Sequence, residues 1–305
     1  MRLNALGLHH QRKRSPQQSC LAELAIARAP LYAFIPMKLY TFAISHFSEK
    51  VRWALDHAGI PYEERVLLPG LHMLTTKWLA KGTSVPILEH DGKIIQGSSQ
   101  ILDHLRDALG TTALEPRGAE VAENRALEAL FDEAFGLGMQ RLLYGALLQA
   151  DRNAITTLWS EAGPWWARGY FAIMYPAVAR AVSRMYKTGD EAALVRAHDR
   201  LRTALDAADK RLATRPYLDG ETLGRTDITL AALLAPLAQV ADHPCTPLST
   251  TRMPAAFAEQ MRPHFERPSM RHVQALYREH RYSGTPYRLA RDGAHRPVRP
   301  PQSLA

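Results

Sequence analysis

The run Met37-Lys38-Leu39-Tyr40-Thr41-Phe42-Ala43-Ile44-Ser45-His46-Phe47-Ser48-Glu49-Lys50-Val51-Arg52-Trp53-Ala54-Leu55-Asp56-His57-Ala58-Gly59 changes hydrophobic period in its middle, and that change decides the fold. Met37 to Ala43 alternates apolar and polar residues, the period-two pattern of a short strand. Past the turn at Ile44–Phe47, Val51, Ala54, Leu55 and Ala58 stand at i, i+3, i+4 and i+7, the stripe of an amphipathic helix. Ser48 reads as its N-cap, Glu49 suits the first turn, and Gly59 stops it.

Working outward, Pro61 opens a second extended piece, Tyr62 to Leu68, so the order is strand, helix, strand. Two strands joined through a helix run parallel. A helical stretch follows at His72–Ala80. Val85-Pro86-Ile87-Leu88-Glu89-His90 and Lys93-Ile94-Ile95-Gln96 then flank Asp91-Gly92, a strong hairpin signal. Ser98 to Ala108 returns to helical period with Ile101, Leu102 and Leu105 on one face. The order βαβ, helix, ββ, helix is that of a thioredoxin-like fold, here α/β followed by an all-α half.

From Gly118 onward strand signals vanish. Helical segments rich in Ala, Leu, Arg and Glu are expected at Ala119–Gln149, Trp165–Tyr186, Glu191–Ala213 and Asp227–Val240, broken at Gly163-Pro164, Thr188-Gly189 and Asp219-Gly220. The expected organisation is an extension at 1–36 without fixed structure, a thioredoxin-like domain at 37–109 and a linker at 110–117. An all-helical domain at 118–280 and a basic Pro-rich tail at 281–305 complete it.

With 305 residues, 46% of them hydrophobic and 22% charged, the chain has ordinary globular composition and room for two domains. Its formal charge of +8 is concentrated at the ends. Residues 1–36 hold five Lys and Arg against Glu23, and 281–305 hold five Arg against Asp292. The body between is close to neutral, which argues against a nucleic-acid surface and for solvated basic tails. No apolar run reaches the ~20 residues of a membrane span. Glu23 and Arg28 interrupt the early apolar stretch, which makes a poor signal peptide, and Met37 is a natural start for the folded part. Cys20 and Cys245 share no motif, so a reducing, cytoplasmic setting is expected. The 13 histidines form no metal-ligand pair in the sequence, and no metal is expected.

Four segments carry a resemblance. Ser45 to Leu55 with Gly59-Ile60-Pro61-Tyr62 resembles the first strand–helix junction of the cytosolic glutathione transferases. Ser84-Val85-Pro86-Ile87-Leu88 looks like their Val-Pro segment, and Gly97-Ser98-Ser99-Gln100-Ile101-Leu102 looks like their acidic-Ser helix start. Tyr217-Leu218-Asp219-Gly220-Glu221-Thr222-Leu223 with Asp227-Ile228-Thr229-Leu230-Ala231 is similar to their late capping segment. The resemblance covers residues 37–240.

It implies a serine/cysteine-type enzyme of detoxification that takes glutathione as co-substrate and adds it to a hydrophobic small-molecule electrophile, as a cytoplasmic homodimer with neither membrane nor nucleic acid as partner. The same site could serve an isomerase, dehalogenase or peroxidase, or a binding module that no longer catalyses. In the family the catalytic residue stands fifteen positions before the Ile of a Gly-Ile-Pro-like turn. Counting back from Ile60 gives Ser45, whose hydroxyl and helix start would hold a thiolate; a plain turn or capping serine is the alternative. Ser48 and Phe47 fall in the same junction, Ser48 also reading as a cap. Neither serine supplies the sulfur nucleophile that disulfide exchange needs.

Val85 precedes an expected cis Pro86 and would pair with the glutathione backbone, a strand-starting proline being the alternative. Ser98 would hold the γ-glutamyl carboxylate at a helix start. Gly97 stands where the family has Glu or Asp, with Gln96 and Ser99 as substitutes. Lys81 and Trp78 fall where relatives contact the glycyl end, though surface positions suit them equally. Aromatic residues between Tyr144 and Tyr175 line either an electrophile pocket or a helical core. Gly224 and Asp227 preserve half of the family's capping box, a folding role.

Overall fold

In a computed structural model, residues 37–110, 114, 121–160, 163–240, 243 and 253–281 are described. The expected extension 1–36, most of the linker and the tail beyond Arg281 lie outside them.

The first half is β1 (Met37–Thr41), α1 (His46–His57), β2 (Tyr62–Val66), α2 (His72–Leu79), β3 (Ile87–His90), β4 (Lys93–Gln96) and α3 (Ser98–Leu109). The sheet order is β2-β1-β3-β4, with β1 parallel to β2 and the other pairings antiparallel. The alternation read at Met37–Thr41 is a real in–out pattern, with Met37, Leu39 and Thr41 buried. Asp91 (φ 50) and Gly92 (φ 69) make the hairpin turn between β3 and β4, the left-handed pair that a two-residue connection requires.

Helix α1 starts three residues before the expected place. Ser45 is its N-cap, with extended backbone and a side-chain oxygen that accepts from the Ser48 N–H. Ser48 is already the third helical residue and fully buried. Local sequence offers two serines for one cap, and the one whose backbone is still extended takes it.

The helical half comprises α4 (Val121–Phe131), α5 (Met139–Ala150), α6 (Arg152–Ser160), α7 (Ala167–Tyr186), α8 (Glu191–Leu212), α9 (Arg225–Ala238), α10 (Ala255–Met261) and α11 (Pro268–Leu276). A π-helical segment, Asp132–Gly138, joins α4 to α5, so the single expected helix carries a wide turn near its middle. Gly136 sits inside it, and a Cβ there would overlap the ring of Phe47 on α1. Glycine thus lets the first half seat an aromatic ring against the second.

Every residue of α9 is buried, the pattern of a helix apolar all round. It packs on α1 on one side and α11 on the other, so the two halves share one core. Its start is capped from an unexpected quarter. Asp219 accepts from the Thr226 N–H at 2.8 Å, while Asp227 accepts from the N–H groups of Leu218 (2.8 Å) and Gly224 (3.3 Å). A Cβ at Gly224 would collide with the Asp219 carboxylate. The cap residue is glycine because another side chain performs its task.

Buried charge ties the halves together. Lys50 of α1, with a side chain 0% exposed, lies 2.9 Å from Glu128 and 2.8 Å from Asp132. Arg225 of α9 meets the same Glu128 at 2.9 Å and Asp103 of α3 at 2.6 Å. Burial alone would raise the Glu128 carboxyl, but Lys50 and Arg225 outweigh it and hold it below the usual range.

Candidate functional site

Three element ends meet at one end of the sheet. Tyr40 pairs with Ile87 and Ile87 with Gln96, so the end of β1, the start of β3 and the end of β4 lie side by side. Ser45 follows the first, Pro86 precedes the second, and Gly97-Ser98 follows the third. Two helix N-termini, those of α1 and α3, therefore begin at the same end, and each offers unpaired N–H groups and positive dipole charge.

At the first, Ser45 is nearly buried, and its Oγ accepts from the Ser48 N–H at 3.2 Å. Among the described residues no group accepts the Ser45 hydroxyl proton. The hydroxyl is thus fixed as an acceptor toward the helix and left free as a donor away from it. His46, the next residue, is buried and turned toward the helical half. Burial pushes its imidazole down to about 4 against a hydrogen bond to the Gly136 backbone, so it is neutral. Its ring neighbours that of Phe47 at 4.9 Å. Ser48 Oγ is enclosed with no hydrogen-bond partner among the described residues.

The Val85–Pro86 bond is cis. The loop before it is tied to β4, where Gln96 accepts from the Gly82 N–H at 3.1 Å and donates to the Ser84 carbonyl at 2.8 Å. Gly97 donates its N–H to the Pro86 carbonyl at 3.0 Å, which links the second and third element ends directly.

Gly97 has φ 102, a backbone region that glycine adopts freely and other residues rarely. The Gln100 carboxamide fills the space a Cβ would take. Ser98 is buried at the first turn of α3. Ser99 is drawn into the buried charge network, donating to Asp132 at 2.6 Å and accepting from Lys50 at 3.0 Å. Gln96 and Ser99, the residues weighed as substitutes for an acid at position 97, are thus committed elsewhere. Lys81 and Trp78 are exposed, Trp78 at 84%.

Beside the Ser45 corner lies an aromatic cluster. Leu147, Ile155, Leu158, Trp159 and Phe171 form its buried part, with half-buried Tyr144, Tyr170 and Tyr175 packed against it. Ile44, which precedes Ser45, packs on the same cluster. Trp165 is exposed and stands apart from it, while Trp166, also exposed, meets only its edge, at Tyr170 with ring centroids 6.4 Å apart. Sequence reading missed Gly136, Lys50 and Glu128, whose partners lie far along the chain, and Asp219, which caps a helix from seven residues before the N–H it serves. Among the described residues no group of three or more His, Cys, Asp or Glu could hold a metal.

A family model described as the glutathione S-transferase N-terminal domain matches residues 39–113. Residues 39–113 are thus similar to a glutathione S-transferase N-terminal domain. They hold the end of β1, the cis proline and both helix starts described above. No curated protein matches the sequence significantly. Among solved structures, a glutathione S-transferase of Ceriporiopsis subvermispora in complex with glutathione superposes with a TM-score of 0.52 at 14% identity, over 82% of this chain and 99% of that one. The β-etherase LigF from Sphingobium sp. strain SYK-6 gives 0.51 at 20% identity, over 78% and 98%. A glutathione transferase family member from Pseudomonas fluorescens with two glutathione bound gives 0.51 at 16% identity, over 83% and 92%. These likenesses extend the glutathione S-transferase fold over both halves, the thioredoxin-like one and the helical one.

Proposed function

We propose that the chain is a glutathione S-transferase in which Ser45 stabilises the glutathione thiolate for attack on a hydrophobic electrophile. The observation that carries this reading is the state of the Ser45 hydroxyl, which accepts from Ser48 N–H and keeps its own proton free at a helix N-terminus. A free thiol has a pKa near ~8.5. A hydrogen bond donated to the sulfur anion, with the positive end of α1 behind it, lowers that value and raises the thiolate fraction near neutrality. Glutathione would lie along the convergent element ends, its backbone against Val85 and its γ-glutamyl carboxylate at Ser98. Phe47 and, at its margin, Lys81 complete the proposed contact set; Ser48, enclosed within α1, and Ser99, held by Lys50 and Asp132, are left out of it.

The sulfur lone pair then forms a carbon–sulfur bond to the electrophile. A leaving group departs with its electron pair, or, in an addition, solvent supplies a proton to the product. The aromatic cluster beside Ile44 supports an apolar second substrate. The proposal includes a cytoplasmic homodimer, as the resemblance implies.

A second reading, a glutathione-binding or regulatory module without turnover, is favoured by one observation: Gly97 and the overlying Gln100 put no acid where the family holds the γ-glutamyl amine. Retention on immobilised glutathione followed by conjugation of a chloro-nitroaromatic separates the two. Retention with turnover that falls in Ser45→Gly supports the enzyme; retention without turnover supports the module. A folded protein with neither result removes both.

A further inference from the structure

Helix α7 is built on two unlike faces. Phe171, Val178 and Val182 point into the aromatic cluster. On the opposite side, at i, i+3 and i+4 steps, stand Trp166, Gly169, Ile173, Ala177, Arg180 and Arg184, all exposed. Ile173 is 80% exposed, and Trp165, just before the helix, is 94% exposed. The stripe is therefore apolar in its first half and cationic in its second. Residues 163–189 contain Arg168, Arg180, Arg184 and Lys187 and no acidic residue at all. All four cations are exposed.

We propose that this outward face of α7 docks the protein on an anionic lipid surface. Exposed Trp and Ile beside Arg and Lys, on a helix lying flat along a folded body, match the chemistry of a headgroup boundary: apolar side chains enter it while cations meet lipid phosphates. The helix is too polar to cross a membrane, and among the described residues no helix is long and apolar enough to do so. Charge decides against the other occupants. Pairing two copies through this face would bring like charges together with no acid to offset them. The chain's own ends, basic on both sides, are no better matched to it. Duplex nucleic acid would satisfy the cations through its phosphates and leave Ile173 without an apolar partner.

The neighbouring helix α2 has the same character. Met73, Leu74 and Trp78 are exposed, Lys77 and Lys81 stand beside them, and no acid occurs from residue 69 to residue 88. The loop before α2 touches α7, where Gly70 lies against Tyr170 and Val178. Both helices thus edge one side of the protein with apolar and cationic groups.

The test is co-sedimentation of the full chain with vesicles of phosphatidylcholine alone, or of phosphatidylcholine with roughly a third phosphatidylserine, at low and high salt. Wild-type protein is expected to bind the anionic vesicles at least ~10-fold better than the neutral ones, with part of that binding surviving high salt. Arg180→Glu with Arg184→Glu should lose the anionic preference. Trp165→Ser with Ile173→Ser should lose the salt-resistant part. All four positions are exposed, so circular dichroism and melting should match wild type. Absence of anionic binding, or binding unchanged in both variants, overturns the proposal. So does self-association by sedimentation equilibrium that these variants abolish, since the face would then belong to a second copy.

Discussion

The Arg281 Nε lies 2.6 Å from Glu49 Oε1, joining residues 232 apart in sequence. Arg281 also meets Asp56 at 2.7 Å and covers the Trp53 ring at 5.5 Å. Counted by composition with the basic tail, Arg281 is in fact buried against α1. Glu49 is enclosed between Arg52 and Arg281. Arg281→Gln leaves Glu49 short of a counter-charge, so urea unfolding should show a loss of about 3 kcal/mol. Adding Glu49→Gln should recover part of it, and strict additivity would refute the coupling.

Ser45 carries two duties, and substitution can part them. Ser45→Ala removes the cap and should cost about 1 kcal/mol of stability, whereas Ser45→Gly should cost only a few tenths. Both lose the hydrogen bond to the sulfur anion. The pKa of bound glutathione, read from thiolate absorbance, should rise by about 1–2 units in both variants, as expected for a charge-assisted bond of ~1.5–3 kcal/mol. An unshifted value in Ser45→Gly would leave Ser45 with the cap alone.

His46 predicts an acid response. Its folded value of about 4 lies below the ordinary 6.5, so the unfolded chain binds the proton more readily. Its contribution is complete above pH 6.5, declines as pH falls toward 4, and is level below that. The loss across this window is up to ~3 kcal/mol. His46→Phe should flatten that part of the stability–pH curve, and an unchanged slope would contradict the burial argument.

The cap of α9 should show reversed preferences. Serine is ordinarily a better cap than glycine, yet Gly224→Ser should destabilise, because Asp219 occupies the space. Asp219→Ala should cost about 1 kcal/mol, and Gly224→Ser should destabilise less in that background than in wild type, because the carboxylate is gone while the β-carbon of residue 219 stays 2.7 Å away. Thermal melts of the four proteins check this.

Sequence legibility divides along the range of the interactions. The alternation at Met37–Thr41, the α1 stripe and the Asp91-Gly92 turn are governed by neighbours and could be read directly. The cap at Ser45 was misplaced by three residues, because Ser45 and Ser48 carry the same local signal and only the backbone chooses. Helices α6, α10 and α11, of 9, 7 and 9 residues, are too short for a stripe to stand out in the sequence. Lys50, Glu128, Asp132 and Arg225 look like surface charges in sequence, since nothing local marks them as mutual partners across two halves. For a different reason Asp219 is not legible as a cap: it stands seven residues before the N–H it serves, outside the usual cap position. At the candidate site, Ser45 and the Val85–Pro86 bond were singled out by the resemblance to the glutathione transferases, while the commitments of Gln96 and Ser99 needed coordinates.

The ring of Phe47 seated against Gly136 sets a rule for recombination. A chimera that keeps this thioredoxin-like half and borrows its helices elsewhere needs a donor with a residue lacking a side chain at that point of the π turn. With any bulkier residue the joint cannot close as it does here, and α1, whose first turn holds Ser45, would have to shift with it. Compatibility of modules is thus written in one position on each side of the seam.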